Sequence, residues 1–117
     1  MITKKYNTPL YGTEFTIVIY DNNQEFQDKF KSDDFNPPIS DFDGAVFYRK
    51  DELFIVFSAE KEGYPTPGII AHEAKHLVNE IFIDICCELD LNNDEPEAYL
   101  LGWIVDEIHI LLKKANN

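Results

Sequence analysis

The 117-residue chain is 44% hydrophobic and 14% aromatic, enough apolar side chain for one buried core and too much for a disordered tail. Its 22 acidic residues outweigh 10 basic ones, a net charge of -12 that opposes the counterion release by which proteins hold nucleic-acid phosphates, so direct nucleic-acid binding is not expected. The opening residues Met1 to Gly12 hold no apolar run, so no leader is expected, and no stretch nears the roughly 18 apolar residues of a membrane span; the two cysteines, Cys86 and Cys87, are adjacent and unfit to bridge. The chain reads as one soluble, cytoplasmic domain over residues 1–117, with both thiols buried as small apolar groups.

Thr13 to Tyr20, rich in β-branched and aromatic residues, predicts a strand, with turn or cap signals at Asp21, Asn22 and Asn23. Phe26 and Phe30, four apart among polar residues, predict a short amphipathic helix. Ser32 to Gly44 holds two prolines and four aspartates and predicts a loop. Its Asp41-Phe42-Asp43-Gly44 piece lacks the further oxygens and late glutamate of a calcium loop. Ala45 to Arg49 and Leu53 to Ser58, either side of the charged tip Lys50-Asp51-Glu52, predict a β-hairpin.

Thr66 is placed to cap a helix that opens on Pro67, where a missing N–H costs nothing, and that runs to about Cys87 or Glu88. After the break at Leu89 to Asn93, a last helix runs from Glu95 to about Lys114, with Leu101, Ile104, Val105, Ile108, Leu111 and Leu112 at helical spacing. The order β-α-β-β-α-α predicts an α+β domain, a small sheet beside two long helices.

The chemistry is concentrated in Gly68 to Glu80, where His72, Glu73 and His76 spell H-E-x-x-H. Positions i and i+4 share a helix face, so both imidazoles can address one zinc ion at about 2.0–2.1 Å. Glu73 stands beside the ion, where a general base can take a proton from a metal-bound water. A catalytic zinc wants a third protein ligand. Glu95, nineteen residues after His76 and at the start of the next helix, is the candidate. Asp94 and Glu97 fit the two halves of a capping box, which leaves Glu95 over. Ala98 and Gly102, three and seven residues on, are small enough to let the two helices approach beneath the ion.

The two motifs, H-E-x-x-H and then Glu95-x-x-Ala98-Tyr99, resemble those of the gluzincin metallopeptidases, in particular their small, single-domain phage and mobile-element members. The resemblance spans about Gly44 to Leu112 and implies a minimal zincin-like fold, zinc on His72, His76 and Glu95, catalysis by Glu73, and a peptide or protein substrate held along a sheet edge, for which Leu53 to Ser58 is the candidate. Larger gluzincins have Asp where this chain has Tyr99, so the groups supporting the zinc histidines must differ. Tyr99 is a core or rim residue or a hydrogen-bond donor near the metal. Tyr64, in the loop before the helix, is an oxyanion candidate. His109 lies about 21 Å along the helix from Glu95, too far to share the ion. The alternative is a non-catalytic, zinc-stabilised acidic interaction protein, for example a phage-encoded inhibitor of a host protein.

Overall fold

Strands β2 (Glu14–Tyr20) and β4 (Glu52–Ser58) each bury six successive residues, because both lie inside the sheet and are covered on both faces. The computed structural model describes residues 1–32 and 42–115. Within them β1 (Ile2–Asn7), β2, α1 (Asn23–Phe30), β3 (Gly44–Arg49), β4, α2 (Pro67–Asp84) and α3 (Glu95–Ala115) follow in order. The α+β class is as expected, with one strand more than the sequence predicted. The sheet order is β1-β2-β4-β3, with β2 and β4 parallel and both outer pairs antiparallel. Most of the Ser32 to Gly44 loop, including Asp41, lies outside the described residues.

Because side chains alternate across a strand, the two interior strands feed two cores. Phe15, Ile17, Ile19, Leu53, Ile55 and Phe57 pack against α2 and α3, while Val18, Tyr20, Phe54 and Val56 pack against Phe26 and Phe30 of α1. Asn22 caps α1, its side chain accepting from the Glu25 N–H at 3.0 Å. Thr66 caps α2 as predicted, accepting from the Ile69 N–H at 3.2 Å. The inward face of α2 carries Ile70, Ala74, Leu77, Val78 and Ile81, and that of α3 carries Leu100, Ile104, Ile108 and Leu111. Truncating a fully buried member such as Leu77 to alanine costs roughly 2–5 kcal/mol in lost transfer energy and cavity.

The unpredicted strand, β1, reads as polar because it is an edge. Thr3, Lys4 and Lys5 are exposed, and Lys4 Nζ lies 5.0 Å from the Tyr6 ring centroid. Lysines on an edge strand discourage pairing with another chain. The hairpin turns through Lys50 and Asp51, at φ 50° and 64°, the two left-handed positions of a tight primed turn.

Four expectations need correction. Strand β4 is paired on both sides, so it offers no edge to a substrate, and among the described strands the outermost one beside α2 is β3. Helix α2 stops at Asp84, where Cys86 turns left-handed at φ 57°, and both cysteines are exposed rather than buried. Ala98 and Gly102 are exposed, and a Cβ added at Gly102 would meet nothing within 4 Å, so the helices do not close on one another there.

Candidate metal centre

On α2 the residue types sort by angle. His72 and His76 lie on the exposed face, and Glu73, about 100° round from His72, turns inward and is 7% exposed. The Nε2 atoms of His72 and His76 are 3.3 Å apart, with the rings 76° from coplanar. Two ligands at about 2.0–2.1 Å on one tetrahedral ion stand about 3.3–3.4 Å apart. The imidazoles therefore stand at a separation compatible with sharing one metal ion. Together with a Glu73 oxygen the nitrogens lie within 4.8 Å of one another, a group able to hold a metal ion.

Burial pushes the Glu73 carboxyl above its ordinary pKa of 4.5, and the neighbouring His72 and His76 pull it partly back. A carboxylate lifted in this way is a better proton acceptor than a solvated one. Its position is fixed by β3, whose first residue, Gly44, lies against it: a Cβ there would stand 2.7 Å from Glu73 Cγ and 3.3 Å from Phe57 Cδ1. A cavity of about 340 Å³ opens over this contact, lined by Asp43, Gly44, Gly68, Ile69, His72 and Glu73. Asp43 also holds the Lys61 ammonium at 3.5 Å.

The carboxylates of α3 divide between two sides of the helix. Glu97 lies on the line of the buried Leu100, Ile104 and Ile108 and pairs with Lys75, the residue before His76. Lys75 also donates to Asn79 at 3.0 Å. Glu95 is exposed, on the line of the exposed Tyr99, Gly102 and Asp106, and lines a separate cavity with Tyr99 and Trp103. The structure thus brings His72, Glu73 and His76 together and sets Glu95 apart from them. Glu97, read from sequence as half of a capping box, gives its carboxylate to Lys75 instead.

The remaining candidates sit elsewhere. Tyr64 lines a third cavity with Ala59, Pro65 and Leu112, its ring beneath the Lys61 ammonium at 5.1 Å. Tyr99 is 75% exposed and His109 is exposed. Sequence reasoning missed Gly44, whose only signal was a glycine at a strand start, and Lys75, whose position inside the H-E-x-x-H motif puts it on the face that meets α3. Compared with protein-family models, with characterised proteins and with known structures, the chain matches none of them.

Proposed function

We propose that the protein is a zinc-dependent peptidase of gluzincin type, with one zinc ion held by His72 and His76 and with Glu73 as general base. The observation that carries the reading is the 3.3 Å separation of the two Nε2 atoms beside a buried carboxylate of raised pKa. When bound, zinc supplies a Lewis acid for a carbonyl and a water of lowered pKa. With the ion in place, Glu73 would be the group that accepts a proton from the attacking water and donates one to the leaving amine. The wall made by β3 and Gly44 keeps the carboxylate from rotating away, and the outer side of β3 is the natural seat for an extended substrate, by backbone pairing.

For the third ligand, geometry favours Glu97, since it already reaches α2 at Lys75. The motif resemblance points to Glu95, which faces the other way. With Glu97 as third ligand, zinc would be held by residues of both α2 and α3, and its binding would then add to folding stability.

The test is native mass spectrometry after zinc loading, combined with a broad peptide-cleavage screen of the parent and Glu73→Gln. One zinc per chain in both, with cleavage in the parent alone, is the expected result. Apo protein only, indistinguishable from His72→Ala, defeats the metal reading. Zinc in both with cleavage in neither favours the zinc-stabilised interaction protein, whose surface charge of -12 would then serve a basic partner.

A further inference from the structure

A second concavity, larger than the 340 Å³ cavity beside Glu73, is a groove of about 630 Å³ between the β1–β2 turn and the start of α3, lined by Pro9, Leu10, Tyr11, Glu95, Pro96, Tyr99 and Trp103 among others. Its floor is rigid. Trp103 packs edge-on against Tyr6 and Phe15 at 6.3 and 5.9 Å, and Tyr11 against Phe82 at 6.1 Å. Its rim is apolar and unusually bare. Leu10 is fully exposed, at φ 68° where a leucine is disfavoured, and Tyr99 is 75% exposed.

Charge selects the occupant. Among the described residues of the lining Glu95 is the one ionic group, with no lysine or arginine beside it, and Asp90 and Asp94 stand exposed on the adjoining loop. Aromatic faces beside a carboxylate attract a cation, and proline and leucine surfaces cover the hydrocarbon stem behind it. The exposed rim leaves the groove open along its length, which suits a side chain projecting from another polypeptide better than an enclosed small molecule.

We infer that the groove lined by Tyr11, Glu95, Tyr99 and Trp103 docks a basic, apolar segment of a protein partner, with an arginine side chain against the aromatic faces and its guanidinium on the Glu95 carboxylate. The planar guanidinium both stacks on rings and pairs with a carboxylate, which a lysine ammonium does less well. The inference rests on the reading above in one respect, that Glu95 is free of the metal.

Trp103 is the chain's single tryptophan, so its emission reports on the groove directly. Metal-free protein, kept in chelator, is titrated with a capped peptide carrying arginine between two leucines and with its uncharged citrulline counterpart. The arginine peptide should give a saturable change in Trp103 emission and bind about tenfold tighter than citrulline, the scale of a partly desolvated cation–aromatic contact. Glu95→Gln should abolish that preference while retaining the citrulline affinity, and Tyr99→Ala, at an exposed position, should weaken both peptides without changing the melting temperature. Equal affinity for the two peptides, a preference that survives Glu95→Gln, or no emission change up to millimolar peptide overturns the inference. Zinc affinity of Glu95→Gln, measured separately, bears on the ligand assignment alone, so the two readings fail independently.

Discussion

Gly44 and Glu73 touch: a methyl group at Gly44 would stand 2.7 Å from the Glu73 Cγ, with Phe57 Cδ1 and the Val56 carbonyl oxygen each at 3.3 Å behind it. The neighbours on the strand side are packed core, so strain introduced at Gly44 has to be relieved by Glu73. Gly44→Ala should therefore displace the carboxylate while leaving the two imidazoles alone. The expected outcome is a fall in any hydrolytic rate by tenfold or more with zinc affinity nearly unchanged, and destabilisation of about 1–3 kcal/mol from overpacking. Rate and zinc titration on the same preparation check it, and a loss of zinc without a loss of rate contradicts it.

Removing the charge from Glu73 should stabilise the metal-free protein. Burial raises the carboxyl's pKa in the folded state above its ordinary 4.5, so this group favours folding fully only below that value, and the contribution is lost as pH rises through the raised folded value. Glu73→Gln should gain on the order of 1 kcal/mol at pH 7, the scale of a poorly compensated buried polar group, and nothing near pH 4. Urea unfolding of both proteins in chelator at the two pH values is the measurement. A gain of equal size at both would assign the effect to packing.

The two glutamates at the start of α3 are separable by zinc affinity. With Glu97 on the inner line and Glu95 on the outer, Glu97→Ala should cost about a hundredfold or more, and Glu95→Ala and Asp94→Ala little. Lys75→Met adds an independent arm. It frees the Glu97 carboxylate and removes a cation next to the ion, so it should tighten zinc binding. A large loss confined to Glu95→Ala restores the assignment that the motif resemblance makes.

Tyr20, in the core formed with α1, offers a separate test. Its hydroxyl is buried without a well-formed hydrogen bond, and the neighbouring Ser58 hydroxyl, which could serve it, also reaches Glu60 at 3.4 Å. Burial raises its pKa above 10.0, eased by Ser58 and reinforced by the charges of Glu60 and Asp43. The folded state therefore keeps this proton longer than the unfolded chain, and the associated stability is lost as pH climbs through the raised value. Tyr20→Phe should be more stable by about 1 kcal/mol at pH 8 and lose less between pH 8 and pH 11. Parallel unfolding curves of unchanged spacing at both pH values would argue against it.

What the sequence settled by itself were local matters. Thr66 and Pro67 start a helix wherever they precede an apolar periodic run, and His72 and His76 share a face on any helix, since both facts depend only on backbone geometry over four residues. The hairpin and the span of α3 were legible for the same reason. Tertiary structure decided whatever depends on which strands are neighbours and how two helices are rotated about their axes. Strand β1 escaped notice because an edge strand need bury only one residue, here Tyr6 near its end, while its lysines face water. That β4 has no free edge follows from its pairing with β2, thirty-eight residues earlier by the Thr16–Phe54 register, a pairing no local pattern encodes. Glu95 and Glu97 are equally good acids at a helix start, and roughly 200° of rotation separates them. Only the burial of Leu100, Ile104 and Ile108 against the core turns Glu97 toward Lys75 and leaves Glu95 to the aromatic groove.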